Sequence, residues 1–386
     1  MRKDERWLEG VKVLDLSRLL PGPFCTMLLA DMGADVLKIE APEGGDYARY
    51  YPPVEGEYGA FFAAVNRNKR SMTLDLKDER GVGVFERLVE EADVVVESFR
   101  PGVMERLGID YERLCNINEG IVFCSISGYG QDGPMRERAG HDLNYMARAG
   151  LLEQNGRAGD APVVPGFQVA DLAGGALYAA LGITSALYGR ERTGEGARLD
   201  ISMTEGAMSL HLPLQAAIAA GEEQPRGEGM LTGGRASYNV YETKDGEYLA
   251  VAALEPKFWM GFVQAIDAPE LADAGMATGE EAQAARERVA EVIGAKNLKY
   301  WLRVFEEIDV CVEAVRSPEE VLEDELFRAR EMFFELAGYH QTRTPLTPVE
   351  REHAPPPGHG EHSREVLDEV GFSAEEIEVL EGDGVV

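Results

Sequence analysis

The sequence predicts an α/β fold in which helices cover the faces of a parallel sheet. In the first 130 residues, short apolar runs alternate with segments whose apolar residues recur at spacings of three and four. We interpret the short runs as strands and the periodic segments as helices. The runs are apolar over most of their length, as strands buried on both faces are. Strand, helix and strand repeated in this order are typical of a parallel sheet.

The predicted elements follow one another regularly along this part of the chain. The strands lie at residues 11–16, 35–39, 71–76, 93–99 and 121–126, and the clearest helical patterns between them lie at residues 24–32 and 83–92. A longer helical pattern begins after Asp171 and ends near Arg190.

A glycine-rich segment at residues 221–234 marks a predicted domain boundary. The chain beyond it begins with a predicted hairpin of residues 238–243 and 247–253, in which Gly246 provides the positive φ of the turn. Helical patterns follow the hairpin. We therefore predict a large domain of residues 1–229 and 329–386 and a smaller α+β domain of residues 230–328.

The chain is strongly acidic. It has 69 Asp and Glu residues against 38 Lys and Arg residues, a formal net charge of −31. This argues against nucleic acid as the main partner, because a phosphate backbone binds to a positive surface. The acidic residues are spread over the whole chain, which favours a halophilic-type surface in a salt-rich cytosol, where charge repulsion is screened.

The cysteines and the apolar segments indicate a soluble cytoplasmic protein. No two of the four cysteines form a CxxC pair, which argues against a disulfide framework and a zinc site. The N-terminus lacks the apolar stretch of a signal peptide. The most apolar segments, residues 178–188 and 208–220, are too short or too interrupted by polar residues to span a bilayer. We expect no membrane insertion.

A glycine-rich motif follows the last of the five strands. Residues 128–133, Gly-Tyr-Gly-Gln-Asp-Gly, match the GxGxxG pattern of dinucleotide-binding loops. The pattern has that meaning only where the glycines open a helix. Here Pro134 follows and no helical period begins, so a simple glycine-rich loop is favoured. A loop at a strand end is nonetheless where α/β sheets bind their ligands.

A basic cluster at residues 66–70, with the sequence NRNKR, interrupts the acidic chain. Lys38, Arg100 and Arg106 lie at or just beyond two other strand ends. The pattern leaves two interpretations open: a solvated loop, or an anion site that binds a phosphorylated ligand.

Three residues are candidates for acid–base chemistry. His141 carries an imidazole, a common general base, but the same pattern fits Asp142 as a helix N-cap with His141 before it. Asp171 precedes the long helix, where small residues allow another group to approach closely. It is either an N-cap or a carboxylate that carries a proton or attacks an electrophile. Glu255 follows the hairpin and, taken alone, is a first-turn acid that suits the helix dipole.

Seven segments together point to a known family. They are residues 17–23, 29–40, 66–71, 97–102, 105–108, 127–134 and 362–367. With these segments the chain resembles the family III CoA-transferase superfamily of the CaiB/BaiF type, and within it the α-methylacyl-CoA racemase branch. The resemblance runs nearly from end to end.

The resemblance implies a fold, a partner and a ligand. The fold is a Rossmann-like large domain built from both chain ends with a small domain beside it, and two such subunits interlock as a homodimer. CoA lies on the large domain and the acyl group at the interface with the partner's small domain. No metal is implied, and no cofactor beyond the CoA of the substrate. The residues implied in CoA binding are Arg18, Lys38, Asn66, Arg67, Asn68, Lys69, Arg70, Ser98, Phe99, Arg100, Arg106, Gly140, Asp142, Leu143, Asn144 and Tyr145. Lys38 stands at a position that looks like an arginine of the racemases.

The resemblance also implies a reaction. The racemases carry Gly-His-Asp-x-Asn-Tyr, complete here at residues 140–145, and a Glu-Pro whose acid hydrogen-bonds the histidine, matched by Glu255. Both branches share Asp171. A racemase would exchange the α-proton of a 2-methylacyl-CoA through an enolate, with His141 on one face and Asp171 on the other. Backbone N–H groups near residues 172–174, or before His141, would hold the enolate oxygen.

Two alternatives stay open. In a CoA-transferase, Asp171 would attack the acyl-CoA and become an aspartyl-CoA thioester on the way to a new acid. The chain could also bind CoA without catalysis, although all the candidate acid–base residues are present.

Overall fold

Thirteen strands and seventeen α-helices lie within residues 6–386, the part of the chain that the computed structural model describes. The strands are β1 Lys12–Asp15, β2 Asp35–Glu40, β3 Val54–Glu55, β4 Tyr58–Gly59, β5 Lys69–Thr73, β6 Val94–Glu97, β7 Val122–Ser127, β8 Ala197–Ser202, β9 Tyr238–Glu242, β10 Tyr248–Ala252, β11 Val312–Ala314, β12 Phe333–Leu336 and β13 Tyr339–Thr342. The helices are α1 Pro21–Asp31, α2 Ala60–Val65, α3 Glu79–Glu91, α4 Val103–Leu107, α5 Tyr111–Ile117, α6 Asp142–Ala149, α7 Leu151–Gln154, α8 Tyr178–Thr193, α9 Met203–Ser209, α10 Leu212–Ala219, α11 Pro256–Ala265, α12 Gly279–Gly294, α13 Leu298–Phe305, α14 Pro318–Glu323, α15 Glu325–Ala329, α16 Ser363–Glu369 and α17 Ala374–Gly382. A π-helix, Ala170–Leu177, precedes α8, and 3₁₀ turns lie at Tyr47–Tyr50 and Pro269–Leu271.

The main sheet has six parallel strands in the order β5-β2-β1-β6-β7-β8. Counted along the chain this is the order 3-2-1-4-5-6 of a doubly wound Rossmann sheet. The predicted α/β fold with a parallel sheet is therefore confirmed. The strand order reverses between β1 and β6, and ligands of such sheets bind outside the carboxyl ends of the strands at that point.

Strand β8 is the one member of this sheet that the apolar runs did not predict. Its first five residues alternate between part-buried and exposed side chains, so one face of this edge strand is open to solvent. A continuous apolar run marks only a strand that is buried on both faces.

Both ends of the chain contribute to the core beneath this sheet. Buried Leu14 of β1 and Val95 of β6 belong to the same cluster as Val366 of α16 and Leu380 of α17. The C-terminal helices therefore fold with the N-terminal strands, although more than 250 residues separate β6 from α16.

The chain divides by contacts into two units. The first comprises the residues up to Ala149, Phe167–Leu210 and Glu325–Val386, and the second comprises Gly150–Gly166 and His211–Asp324. The contact division thus groups residues 150–166 and 211–229 with residues 230–324, whereas the sequence-based division had placed them in the large domain. Arg226 joins the two segments through an ion pair of 2.7 Å with Glu153.

The second unit is built on the antiparallel sheet β11-β10-β9. The predicted hairpin is present, and Gly246 has a φ of +80° at its turn. Helices α11, α12 and α13 pack on the sheet around Trp259, Phe262, Trp301 and Phe305. This is an α+β arrangement with a core of its own.

One continuous helix among the described residues, Ala170–Thr193, is long and apolar enough by length and composition to span a bilayer. A core helix of a soluble protein meets the same criteria. Gly174, Gly175 and Ala176 are buried near its start, and Ala179 and Ile183 are buried further along. The helix thus supplies one side of its surface to the core of the first unit.

Candidate active site

A cavity of about 410 Å³ lies at the carboxyl ends of the central strands, within the first unit. The segments that follow β1, β6 and β7 contribute to its wall, as the switch point of a doubly wound sheet predicts. Its lining residues are Arg18, Leu19, Pro21, Tyr47, Ser98, Phe99, Arg100, Pro101, Ile126, Ser127, Gly128, Arg136, Arg138, Ala139, Gly140, His141, Tyr145, Asp171 and Met203. Two of the predicted catalytic residues therefore share one cavity.

Arg18 lies at the switch point itself. Its backbone N–H donates to Ser98 Oγ at 3.2 Å, which joins the loop after β1 to the loop after β6. Its guanidinium lies 5.2 Å from the ring centroid of Tyr47 and 5.2 Å from that of Phe99. Both rings are close enough for a cation–π contact, and all three side chains line the cavity.

A second cavity of about 560 Å³ shares Arg18, Tyr47, Phe99 and Arg100 with the first. Lys77 and Arg106 also line it. The two cavities thus share one wall, in which Arg18 and Arg100 are the cations. The remainder of the second cavity has carboxylates as well as cations in its lining: Glu40, Glu43, Asp46 and Asp75.

The His141 loop is fixed by Tyr145. The Tyr145 hydroxyl donates to the Gly140 carbonyl at 2.5 Å. A Cβ added at Gly128 or Gly140 would lie 2.5 or 2.6 Å from a carbon of the Tyr145 ring, so only glycine fits at these positions. The GxGxxG motif therefore serves as a loop packed on Tyr145, and no helix opens within residues 128–139.

His141 directly precedes α6 and is exposed in the cavity wall. Its backbone N–H donates to Asn144 Oδ1 at 3.0 Å. Asp142 is the first residue of α6, and its carboxylate accepts the backbone N–H of Asp171 at 2.9 Å instead of capping its own helix. The alternative that Asp142 is simply the N-cap of the following helix is therefore wrong, and Asp142 links the two segments that carry the acid–base candidates.

Asp171 is the second residue of the π-helix. Burial, and the negative charge of Asp142, raise the pKa of the Asp171 carboxyl to about 7. Asp171 is therefore able to hold or release a proton near neutral pH, as a catalytic acid–base group must. The N–H of Leu172 donates to the Gln168 carbonyl at 3.0 Å, so it is not free to hold an enolate oxygen.

Small residues allow the π-helix to approach α9 closely. A Cβ added at Gly206 would lie 1.9 Å from the Gly174 carbonyl oxygen, and one added at Gly174 would lie 2.7 Å from the Ala207 nitrogen. π-Helical turns are rare and often occur at functional sites. Here the close backbone contact fixes the turn that carries Asp171.

Four of the residues predicted to bind CoA lie instead in the protein interior. Lys38, Asn66, Arg67 and Lys69 are at most 3% exposed. The predicted phosphate-binding role does not agree with this placement, because a phosphate cannot reach these groups. Their donors are directed to internal acceptors: Lys38 to Asp46 at 2.9 Å, Asn66 to the Phe62 carbonyl at 3.0 Å, Arg67 to Asp31 at 2.7 Å and Lys69 to Asp15 at 3.1 Å.

The buried charges change one another's pKa values. Burial alone would raise the pKa of Asp15, but Lys69 and Lys38 lower it to about 2. Burial lowers the pKa of Lys69 to about 8 despite the nearby Asp15. These groups form a structural network within the first unit.

Arg70 and Asn68 are also remote from the cavity. Arg70 pairs with Asp35 at 2.8 Å and with Glu369 at 2.9 Å. It is the second residue of β5 and therefore lies toward the amino ends of the parallel strands, opposite the cavity. The side-chain amide of Asn68 donates to Asp31 at 2.8 Å.

Glu97, the last residue of β6, was not among the predicted site residues. Its side chain is 2% exposed and accepts the backbone N–H of Phe99 at 2.7 Å. Burial raises the pKa of its carboxyl to about 7. The sequence signal was an acid at the end of an otherwise apolar strand, a position where α/β sheets place functional groups.

Known proteins of similar sequence cover almost the whole chain. A sequence profile of CoA-transferase family III matches residues 8–363. The chain belongs to this family.

Its relatives include enzymes of both branches. Alpha-methylacyl-CoA racemase of Homo sapiens is 37% identical over 98% of this chain and 97% of its own length. Succinyl-CoA:glutarate CoA-transferase of Mus musculus is 33% identical over 98% of this chain and 90% of its own. The crystal structure of a CaiB/BaiF family protein from Brucella suis has a TM-score of 0.82 and 32% identity, and the match covers 96% of this chain and all of that one. The resemblance to family III CoA-transferases of the CaiB/BaiF type, inferred from the sequence, is confirmed.

Glu255 lies in the second unit of this family III protein. It is the N-cap of α11, and its carboxylate makes no capping hydrogen bond. Its place at the start of α11 agrees with the interpretation of Glu255 as an acid that suits the helix dipole, which needs no capping hydrogen bond. The predicted hydrogen bond between Glu255 and His141 stays a prediction.

Proposed function

We propose that this family III protein is an acyl-CoA racemase that exchanges the α-proton of a 2-methylacyl-CoA. The observation that carries the proposal is the placement of His141 and Asp171 in the wall of one cavity, with the pKa of Asp171 raised to about 7. A two-base racemase needs one group that accepts a proton while the other donates one.

In the proposed reaction, the imidazole of His141 takes the α-proton from one face of the acyl group. The C–H electron pair moves toward the thioester carbonyl and forms an enolate. Asp171 enters the reaction protonated and donates its proton to the α-carbon from the opposite face, and the carbonyl is restored. The configuration is inverted, and the proton now on His141 prepares the pair for the reverse reaction.

The enolate oxygen needs hydrogen-bond donors. The first N–H groups of a helix have no partner within that helix. We assign the oxygen to the N–H groups at the start of α6, those of Asp142 and Leu143, because the Leu172 N–H already donates to the Gln168 carbonyl. The positive end of the α6 dipole favours the same charge.

The proposal places CoA along the wall that the two cavities share, with its phosphates in the second cavity. Arg18, Arg100, Arg106 and Lys77 would face its phosphates, since they are the cations that line the second cavity. We further propose that a second copy of the chain completes the acyl site. Exposed Leu177, Leu181 and Tyr188 supply apolar surface along one helix for such a partner.

The proposal is tested by deuterium exchange. We expect the enzyme, in D₂O with a 2-methylacyl-CoA and no acceptor acid, to incorporate deuterium at the α-carbon as the two epimers interconvert. Mass spectrometry and chiral chromatography measure the two events. A panel of straight and branched acyl groups identifies the preferred substrate. Movement of CoA to a free acid without exchange from any of them would rule the racemase out.

The pH profile provides a second prediction. The active pair must hold one proton, and Asp171 holds its proton up to pH about 7. We therefore expect kcat/KM to fall as the pH rises through about 7. The fall should be the same for both epimers, because the equilibrium constant between them does not depend on pH. Initial rates from pH 5 to 9 in constant-ionic-strength buffer measure it.

A CoA-transferase is the second candidate, favoured by relatives such as the succinyl-CoA:glutarate enzyme. As a nucleophile Asp171 must be ionised, so the rate of CoA transfer would rise as the pH rises through about 7, opposite to the racemase. Hydroxylamine or borohydride added with acyl-CoA would trap the aspartyl-CoA thioester of a transferase at Asp171.

A further inference from the structure

A row of three polar side chains crosses the sheet just behind the cavity. Glu97, Ser125 and Asp200 are register neighbours on β6, β7 and β8. The Ser125 hydroxyl is hydrogen-bonded to Glu97. At the two ends of the row, Glu97 accepts the N–H of Phe99 at 2.7 Å and Asp200 accepts the N–H of Gln131 at 2.9 Å. The row therefore ties down the loops that follow β6 and β7, and both loops line the cavity.

Glu97 has no cationic partner among the ion pairs of residues 6–386. The charged groups with the largest effect on it are carboxylates, Glu105 of α4 and Asp200 of β8. A buried carboxyl in these surroundings is not there to balance charge. Its hydrogen bonds go to Ser125 and to the loop that begins at Ser98.

The backbone N–H of Phe99 is the point at which Glu97 acts on the cavity wall. The Phe99 ring lies against the guanidinium of Arg18, and Ser98 accepts the Arg18 N–H. Arg100 is the next residue along the loop. Fixing the Phe99 backbone therefore fixes two cations in the wall that the two cavities share.

We propose that Glu97 is a positioning residue for CoA: by holding the Phe99 N–H, it places Arg18, Phe99 and Arg100 for the anionic ligand. The inference rests on the proposed function in that the ligand is an acyl-CoA. Glu97 itself does not touch the ligand in this proposal, and the chemistry at His141 and Asp171 does not depend on it.

Calorimetric titration with CoA on the full-length protein tests the proposal. Glu97→Gln keeps an acceptor oxygen of the same size, whereas Glu97→Ala leaves the Phe99 N–H without its partner. We expect CoA affinity within about twofold of wild type for Glu97→Gln and a loss of about tenfold for Glu97→Ala, the effect of one lost hydrogen bond. Val95→Ala, two residues earlier in β6 and in the core, is the matched control and should bind CoA as wild type does.

Two readouts separate positioning from simple destabilisation. A destabilised enzyme has less active protein and a lower apparent kcat, whereas lost positioning raises the KM for acyl-CoA at nearly constant kcat. Amide hydrogen exchange of residues 98–102 in the free protein should accelerate in Glu97→Ala and stay unchanged in Val95→Ala.

The outcomes are distinct. Wild-type affinity and loop exchange in Glu97→Ala would overturn the inference alone, as would a Glu97→Gln variant that is as weak as Glu97→Ala. A wild-type protein that binds no CoA would overturn the proposed function, and the inference with it.

Discussion

Asp171→Asn should reduce epimer interconversion by about 10²–10⁴-fold, the usual contribution of one acid–base group. Asparagine has the shape of aspartate, and the backbone N–H that Asp142 accepts is retained. The amide cannot carry the proton that the second face of the enolate requires. Interconversion is therefore lost in both directions, because each direction uses Asp171 once as acid or once as base.

The same variant should retain one partial reaction. His141 is intact, so it can still remove and return the proton of the epimer whose α-hydrogen faces it. In D₂O we expect that epimer to gain deuterium without inverting, while the other epimer stays unlabelled. His141→Ala should show the mirror image, with exchange confined to the opposite epimer. Chiral separation followed by mass spectrometry measures the label in each epimer for each of the two variants.

Unfolding does not account for this expected loss. The pKa of Asp171 is raised in the folded protein, so at pH 8 its ionised form costs stability that the neutral amide does not. Asp171→Asn should consequently be at least as stable as wild type at pH 8. A variant of wild-type stability that still interconverts the epimers would show that Asp171 is not the second base. If the wild type moves CoA to a free acid but exchanges no α-proton, and Asp171→Asn loses that transfer, the transferase is favoured.

The sheet was predictable because both faces of its central strands must be buried. Strands such as Val94–Glu97 are buried on both faces, so nearly every position must be apolar, and the run is visible in the sequence. The edge strand Ala197–Ser202 has no such requirement and escaped detection. The strand order brings the ends of β1 and β6 together, which no local pattern reveals.

The basic residues show the limit of local pattern most clearly. The local pattern shows only which residues are close to a charge in sequence. The ion-pair partners are distant: Lys69 pairs with Asp15, 54 residues away, and Arg67 with Asp31, 36 residues away. Burial of a cation depends on whether the fold supplies an acid at that point. His141 and Asp171 were predicted from the motifs that contain them, and both line the cavity.

The role of Asp142 also depends on tertiary structure. Its position before an apolar helical pattern predicts an N-cap. The fold instead brings the Asp171 segment within hydrogen-bond distance, and the carboxylate accepts that segment's N–H. Similarly, the sequence places Glu97 only within the predicted strand 93–99, and the register of the sheet then puts it in one row with Ser125 and Asp200.

Replacing Arg67 by Met should destabilise the protein by about 3–5 kcal/mol, the cost of breaking a buried ion pair on one side. Arg67 donates to Asp31 through Nε at 3.1 Å and Nη2 at 2.7 Å, and both side chains are fully buried. Without Arg67, the Asp31 carboxylate keeps donors from Asn68 and Thr347. His353 lies 4.0 Å from this carboxylate, but burial lowers the pKa of the imidazole and so disfavours its charged form. Methionine fills much of the space that Arg67 occupies. The lost charge therefore contributes more to the destabilisation than a cavity does.

Urea unfolding at pH 7 measures this change, and Arg70→Met is the matched control. Arg70 is partly exposed and pairs with surface carboxylates, so its loss should cost about 1 kcal/mol or less. Combining Arg67→Met with Asp31→Asn should recover part of the stability, because the uncompensated charge is then removed. A phosphate-binding arginine would behave in the opposite way: Arg67→Met would weaken CoA binding and leave the free energy of unfolding nearly unchanged. That result would contradict the interior position of Arg67.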